Sequence, residues 1–282
     1  MEGTLFTIGQ FTNPLAITQA DYLTFLNYTF GSLAVNVSNY YPMSAFESTD
    51  LPGFYAISAV LTDSYFKCPA YRALLATIKA GVPAWTYLFD HTPSCGWAVG
   101  LNSPTVLELL GPTHSSEIPF VFGEVTNLPP PAGTCSFNAQ EVGISNVFIS
   151  AWTSMAEGGS PGSGAGIVGG PWPQFSANGS QGLVIENGTA VGYVNYTTCE
   201  FWDLVAAAQN SSAVASTGSG SSTASSTSNA PGPSSTSRGT SASSTSSASG
   251  PSSTSGATRM ASPVISEPLL IAALFAILGF IL

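Results

Sequence analysis

Charged residues are scarce in this chain of 282 residues, and positive charge is scarcest. Only 7% of the residues are charged, and 5 Lys and Arg face 15 Asp and Glu, which gives a net charge of −10. Proteins that bind nucleic acids neutralise phosphate groups with clusters of basic side chains. Because the sequence contains no such cluster, we expect no nucleic-acid partner.

The four cysteines lack the close spacing of metal-binding pairs. They are Cys68, Cys95, Cys135 and Cys199. No CxxC pair is present, and the spacings suit neither zinc nor iron–sulfur ligation, so we expect no metal and no cofactor. An even number of widely spaced cysteines instead indicates two disulfides formed in an oxidising compartment.

The amino-terminal stretch MEGTLFTIGQFTNP lacks the basic region, the unbroken apolar run and the cleavage site of a signal peptide. The rest of the chain nevertheless carries a density of N-x-S/T sequons that is typical of secreted proteins. The six sequons begin at Asn27, Asn36, Asn178, Asn187, Asn195 and Asn210. We expect glycans at these positions, and a signal peptide in a segment that precedes this sequence.

Residues 210–262 are almost entirely Ser, Thr, Gly, Ala and Pro. Such a segment cannot bury apolar surface and does not fold. Its composition predicts a disordered, O-glycosylated stalk. A plain flexible linker would have the same composition.

Residues 263–282 end in the apolar run Leu269–Leu282. As a helix this run would span roughly 21 Å, which is less than the roughly 30 Å hydrocarbon core of a bilayer. The small residues Ser255-Gly256-Ala257, the polar spacer Thr258–Pro268 and the short apolar tail match a GPI-attachment signal. Ser255 is then the attachment residue. A short tail-anchor helix is the alternative. Both predict an extracellular protein held at the cell surface through the membrane.

Residues 1–209 are mixed in composition and rich in aromatics, as a packed head domain is. Thr18-Gln19-Ala20-Asp21 resembles a capping box without its usual Glu and predicts a helix through about Phe30. A second helix begins near Pro69 and stops at Gly81. A strand follows, since Trp85, Tyr87 and Phe89 alternate with other residues.

Three further elements are predicted in the second half of the head. Apolar residues around Phe148 and Trp152 recur at the spacing of an amphipathic helix. The stretch LVIENGTAVGYV is extended and turns at Asn187-Gly188, and CEFWDLVAAAQ forms a final helix. A helix that leads into a strand favours an α/β class, but one strand makes no sheet. We therefore expect the head to be part of a larger domain.

His114, in the segment GPTHSSEIPFVFG, is the better candidate for a catalytic base of the two histidines. It lies in a turn, whereas His91 only follows the predicted strand; an ordinary surface or capping histidine is the alternative. Ser160, in GGSPG, fits the G-x-S-x-G pattern of a nucleophile. It follows a helix rather than a strand, and the next residue, Pro161, has no N–H for an oxyanion. We therefore do not expect Ser160 to be a nucleophile.

The segment around His114 resembles the histidine motif of the type-B carboxylesterase/lipase/cholinesterase family. In that family the catalytic His precedes a Glu and a run of Ile or Leu, any residue, Phe or Tyr, Val, Phe and Gly. The sequence EIPFVFG at Glu117–Gly123 matches this run.

Other stretches resemble the family's motifs in the same order, over roughly residues 2–205. MEGTLF is similar to D-E-G-x-x-F, LTDSYFKCPAYR to D-x-x-F-x-C-P, and WTYLFDH to the Y-x-F strand. AWTSMAEGGSPG with WPQF is similar to the W-x-x-F-A-x-x-G-x-P loop with its following Trp-Pro, and CEFWD to the terminal C-x-F-W.

The resemblance implies the C-terminal half of an α/β-hydrolase fold with an incomplete sheet. It gives His114 the role of base and Glu2 that of triad acid. It also implies the disulfides Cys68–Cys199 and Cys95–Cys135.

The family's nucleophilic Ser and oxyanion-hole glycines lie upstream of its acid, and Met1 stands where the family has Asp. We expect Glu2 to be poorly held so close to the amino terminus. The chain is then an inactive C-terminal fragment of a cell-surface carboxylic-ester hydrolase, whose intact form acts on small-molecule esters. A non-catalytic, cholinesterase-like adhesion or cell-surface glycoprotein is the alternative.

Overall fold

The computed structural model describes residues 1–97, 101, 103–126 and 135–217. Contacts between residues separate a head, Met1–Ala208, from a second unit that starts at Gln209. Of the second unit, only residues 209–217 are described, and they are helical. Most of the predicted stalk, the predicted attachment residue Ser255 and the apolar tail 263–282 lie outside the described residues.

The described ranges contain nine α-helices and one π-helical turn. The helices are α1 (Gly3–Gln10), α2 (Gln19–Phe30), α3 (Ala34–Tyr40), α4 (Pro52–Leu61), α5 (Cys68–Lys79), α6 (Pro104–Leu110), α7 (Ile118–Phe122), α8 (Ala139–Gly158) and α9 (Thr198–Thr217). The π-helical turn, Thr62–Lys67, joins α4 directly to α5. Short 3-10 turns lie at Pro14–Ala16, Gly31–Leu33 and Met43–Phe46.

Three strands form one mixed sheet in the order β1 (Tyr87–Phe89), β2 (Gln181–Ile185), β3 (Thr189–Tyr193). β1 runs parallel to β2, with Tyr87 opposite Leu183, and β2 runs antiparallel to β3. The turn between β2 and β3 includes the predicted Asn187-Gly188, where Gly188 has φ 152°. The late extended stretch is thus a hairpin that gives the short β1 a partner, and this small, incomplete sheet is consistent with part of an α/β-hydrolase fold.

Capping side chains set the starts of α2 and α8. The Asp21 carboxylate accepts from the Thr18 backbone N–H at 2.9 Å and Thr18 Oγ1 accepts from the Asp21 N–H at 3.2 Å, so Asp completes the box without Glu. Asn138 and Glu141 form a second box at α8. Each box satisfies backbone donors that a helix start leaves unpaired.

Both faces of β2 are covered. Leu183 and Ile185, which point to the same face, are fully buried and pack in one cluster with Ile144 and Phe148 of α8. Val184, on the other face, packs against a second cluster that is built mainly from α2, α3, α4 and α9. The sheet therefore lies between helices on both sides, as an α/β layer requires.

Two disulfides are present, as the sequence predicts. Cys68 at the start of α5 is bonded to Cys199 in α9, and Cys95 is bonded to Cys135. These are the pairs that the family resemblance implies.

The last helix differs from the prediction in its length. α9 continues to Thr217, so residues 210–217 of the segment predicted as disordered stalk are helical. Ala, Gln and Ser residues after Trp202 are compatible with a helix, so the change in composition does not mark the end of α9.

Candidate active site

Glu2 and His114 lie side by side although 112 residues separate them in the sequence. His114 Nδ1 is 2.7 Å from Glu2 Oε2. Because a carboxylate can only accept, Nδ1 carries the hydrogen and donates it. About a third of each side chain is open to solvent, 35% for His114 and 37% for Glu2.

The packing of α1 fixes the position of Glu2. This differs from our expectation that Glu2 is poorly held. Glu2 directly precedes α1, and its side chain makes no capping bond of its own, so the carboxylate is free for His114. The backbone nitrogen of Met1 also donates to the carbonyl of Pro112. Contacts of the chain on both sides of Glu2 thus hold its backbone in place.

Gly3 lets α1 approach α4 closely. A Cβ at this position would lie 2.1 Å from the Ser58 carbonyl oxygen, so no other residue fits without a shift of the helix. The Gly3 N–H donates to Thr62 Oγ1 at 2.9 Å, and Thr7 Oγ1 lies 2.8 Å from Ser58 Oγ. The start of α1, and with it Glu2, is thereby tied to α4 and the π-helical turn.

His114 lies in a turn that begins where α6 ends. Gly111 ends α6 with φ 60°, and Ser115, directly after the histidine, has φ 67°. Ser116 closes the turn, since its N–H and its hydroxyl both donate to the Thr113 carbonyl, at 3.1 and 2.7 Å. α7 follows at once, so the imidazole is held between two helices.

Buried threonines lock this turn to α1. Thr4 Oγ1 lies 2.7 Å from the Leu110 carbonyl oxygen and 2.7 Å from Thr113 Oγ1. The Leu5 N–H donates to Thr113 Oγ1 at 3.1 Å. Since Thr4 and Thr113 are each 1% exposed, these hydrogen bonds are shielded from water and fix Glu2 relative to His114.

Two aromatic rings flank the imidazole. The centroids of Phe6 and Phe66 each lie 5.1 Å from that of His114, and 5.1 Å from each other. Phe6 comes from α1 and Phe66 from the π-helical turn. The rings restrict rotation of the imidazole and cover part of its surface.

The hydrogen bond with Glu2 raises the pKa of His114 above its usual value. Partial burial acts in the opposite direction, and the negative charges of Glu2 and Glu117 add to the rise. Glu117 is itself affected, because burial raises the pKa of its carboxyl. The site therefore favours an imidazolium ion, the form that a base takes after it accepts a proton.

His91 takes no part in this arrangement. Its side chain is buried, with Nδ1 2.6 Å from the Glu186 carbonyl oxygen and Nε2 3.1 Å from Glu141 Oε1. Both ring nitrogens are thus occupied in joining β2 to α8. This is a structural histidine, and neither nitrogen is available to a substrate.

Ser160 is exposed and lies in the loop after α8, not between a strand and a helix. The six sequon asparagines are all exposed, so the fold leaves each of them accessible, and their glycosylation stays a prediction. In the described ranges no group of three or more His, Cys, Asp or Glu could hold a metal ion. No helix of this part of the chain is both long and apolar enough to cross a bilayer.

Sequence reasoning pairs Glu2 with His114 but misses the residues that hold them together. Phe66 falls inside the D-x-x-F-x-C-P stretch, which carries no visible link to His114. Thr113 directly precedes the histidine and reads as an ordinary turn residue. Only the close packing of α1, α4 and α6, which no local pattern encodes, brings these side chains together.

Comparison with known proteins places these features in a family. A model of the carboxylesterase family matches residues 35–202, more than half of the chain. Acetylcholinesterase 1 of Caenorhabditis elegans is 30% identical over 121 residues, which cover 41% of this chain and 18% of that protein. The match thus spans less than a fifth of the length of that relative. The chain belongs to the carboxylesterase family.

Proposed function

We propose that this chain supplies the acid and the base of a Ser-His-Glu triad in a carboxylic-ester hydrolase that acts on small-molecule esters. The observation that carries the proposal is the 2.7 Å contact between His114 Nδ1 and Glu2 Oε2. Membership of the carboxylesterase family supports ester chemistry for this pair.

The orientation of the imidazole assigns the proton transfers. With Nδ1–H held by Glu2, Nε2 of His114 takes the proton of a serine hydroxyl while the serine oxygen attacks the ester carbonyl carbon. The imidazolium then gives this proton to the departing alcohol. A water molecule repeats the sequence on the acyl-enzyme and releases the acid. Glu2 stabilises the positive charge in both halves of the cycle.

Ser160 is the one serine in a G-x-S-x-G pattern, and it is exposed in the loop after α8 rather than placed between a strand and a helix. All four cysteines are in disulfides. The proposal therefore assigns the nucleophilic serine and the oxyanion donors to a polypeptide segment outside residues 1–282. By itself the chain is then inactive.

A fluorophosphonate probe tests this proposal, because it labels activated serines. We expect no labelling of the 282-residue chain expressed alone. The protein isolated from its source, captured with an antibody against residues 35–202, should be labelled on one serine that is not Ser160. Hydrolysis of a short-chain nitrophenyl ester by the same two samples gives the second measurement.

The matched variant is His114→Ala in the source protein, with His91→Gln as the control at the other histidine. The first should abolish labelling and hydrolysis, and the second should not abolish them in protein that folds. Labelling of Ser160 would contradict the exclusion of that residue. An unlabelled source protein would favour the non-catalytic adhesion or surface glycoprotein.

We also propose that the protein is displayed on the cell surface, through a GPI anchor at Ser255 or the apolar tail. Two disulfides and six exposed sequon asparagines support passage through the secretory route. The net charge of −10 argues against a nucleic-acid partner.

A phosphatidylinositol-specific phospholipase C should release the protein from cells, and an N-glycosidase should lower its apparent mass. Retention after the first enzyme favours the tail-anchor helix, and an unchanged mass after the second contradicts the glycosylation.

A further inference from the structure

We propose that the π-helical turn Thr62–Lys67 is the positioning element of the Glu2–His114 pair. Phe66 fixes the imidazole ring, and Thr62 fixes the start of α1. The inference rests on the proposed function in so far as His114 is the base, but the positioning itself is measured without any substrate.

Phe66 acts on the imidazole through ring packing. Its ring plane is inclined by 42° to that of His114, and the ring of Phe6 is inclined by 55°. Centroid separations of 5.1 Å lie within the range in which aromatic pairs attract. Phe66 therefore limits the rotation of His114 and keeps Nδ1 directed at Glu2.

Thr62 acts on the partner carboxylate through the backbone. Its hydroxyl accepts from the Gly3 N–H at 2.9 Å and donates to the Ser58 carbonyl at 2.7 Å. Gly3 directly follows Glu2, so this bond sets where α1 begins and where the carboxylate lies. Thr62 and Phe66 stand four positions apart in the same turn, one against each member of the pair.

The turn has anchors that do not involve the pair. The buried Asp63 carboxylate accepts from Tyr41 Oη at 2.6 Å, and Lys67 Nζ lies 2.6 Å from its other oxygen. Tyr41 Oη in turn accepts from Trp202 Nε1 at 2.8 Å. At the far end, Cys68 is bonded to Cys199.

These anchors explain the D-x-x-F-x-C-P stretch, whose function the sequence leaves open. Cys68 attaches the turn to α9 directly through its disulfide, and Asp63 attaches it through the hydroxyl of Tyr41. Phe66, which lies between Asp63 and Cys68 in the sequence, packs against His114. π-Helical turns are rare and occur often at functional sites. Because the turn is attached at these points, the ring of Phe66 is held in a fixed position beside the imidazole.

The test is the titration of His114 by NMR in the full 282-residue chain. There are only two histidines, so the variant His114→Gln assigns the signal. We expect Phe66→Leu to lower the pKa of His114 by about half a pH unit, because the imidazole then turns more freely and its hydrogen bond with Glu2 weakens. Thr62→Val removes the acceptor for Gly3 with little change in shape, and it should lower the pKa in the same direction.

Two control variants separate positioning from general damage. Tyr71→Leu removes a ring of similar partial burial that stacks on Tyr196, and Thr62→Ser keeps the hydroxyl. Both should leave the titration of His114 unchanged. The proposal is overturned if neither Phe66→Leu nor Thr62→Val moves the pKa of His114, or if Tyr71→Leu moves it equally.

Loss of folding is also decisive. If Phe66→Leu does not fold, Thr62→Val decides alone. If neither folds while both controls do, the turn is a folding element and the positioning role is wrong. A source protein that fluorophosphonate fails to label would remove the proposed hydrolase function and leave these titration results unaffected.

Discussion

Ser115 carries backbone strain next to the candidate base. Its φ of 67° lies in the left-handed region, which costs a non-glycine residue roughly 1–2 kcal/mol. The conformation turns the chain sharply between His114 and α7. Strain of this kind persists only where the surrounding structure enforces it, as Thr113 and Ser116 do here.

Replacement of Ser115 by glycine should therefore stabilise the protein by up to about 1 kcal/mol, since glycine adopts this conformation without a steric cost. Ser115→Val should destabilise it, because a β-branched residue fits poorly at positive φ. Urea unfolding of the two variants measures both effects. Ser150→Gly, at an exposed position inside α8, is the control and should lose about 0.5 kcal/mol. A destabilised Ser115→Gly would contradict the strain.

At the scale of single elements, α1 is the helix on which the candidate site depends most. Its contacts with α4, α6 and the π-helical turn keep this helix in place. Gly3 lies at the closest of these contacts. A Cβ atom added there would be 2.1 Å from the Ser58 carbonyl oxygen.

Gly3→Ala should destabilise the protein by about 1–3 kcal/mol, because the added methyl group forces α1 away from α4. Gly143→Ala in α8 is the matched control: a Cβ there meets nothing within 4 Å. That variant should gain about 0.5–1 kcal/mol from helix propensity. Urea unfolding measures the free energy of unfolding of both variants. A Gly3→Ala variant that is as stable as the unchanged protein, or more stable, would contradict the close approach of α1 to α4.

Glu141 joins three elements at the buried start of α8. Burial alone would raise the pKa of its carboxyl, but hydrogen bonds from His91, the Ser94 hydroxyl and N–H, and the Asn138 N–H outweigh burial and lower it to about 2. A carboxyl with a lowered pKa stabilises the fold above its ordinary value of 4.5.

This stabilisation should be lost as the pH falls from about 4.5 towards 2, and it amounts to at most about 3 kcal/mol. Urea unfolding between pH 7 and 3 measures it. Glu141→Gln should lower stability at pH 7 and flatten its fall in acid. The control, Glu157→Gln at the exposed end of α8, should follow the unchanged protein. A Glu141→Gln profile parallel to that of the unchanged protein would contradict the lowered pKa.

The elements that sequence reasoning finds are those with a local signal. α2, α5 and α8 have a capping residue, a proline in the first turn or an apolar period. α4 begins with a proline but lacks an apolar period, since PGFYAISAVL is apolar nearly all round and seven of its ten residues are buried. The π-helical turn is equally invisible, because it depends on the anchors of Asp63 and Cys68 and not on its own sequence.

At the scale of the whole molecule, the disulfide Cys68–Cys199 links the first and last parts of the head. It spans 131 residues, whereas Cys95–Cys135 spans 40. A crosslink restricts the unfolded chain more when the loop that it closes is longer.

Removal of Cys68–Cys199 by paired Ser substitutions should cost about 5 kcal/mol, and removal of Cys95–Cys135 about 4 kcal/mol. Thermal unfolding measures the difference, with the larger fall in Tm for the first pair. Because Cys68 also holds the π-helical turn, the first pair should in addition broaden the NMR signal of His114. A larger loss from Cys95–Cys135 would contradict the loop-length argument.

The fold as a whole could be predicted from the sequence only in class. The order of helix and strand and the motif around His114 predict an α/β layer and the family, and both are found. The packing that brings Glu2 to His114 could not be predicted, since it depends on Gly3, Thr4 and Thr113, each of which reads locally as an ordinary small or polar residue.

The pH titration of His114 in the unchanged chain and in Glu2→Gln tests the central claim most directly. The raised pKa means that the ionic contact stabilises the fold below the ordinary value of 6.5 and is lost as the pH rises through the raised value. Ester hydrolysis by the intact protein should rise through the same pH range, because the base must be neutral. We predict a pKa above 6.5 that falls in Glu2→Gln. A pKa at or below 6.5, or one that Glu2→Gln leaves unchanged, would contradict the acid–base pair.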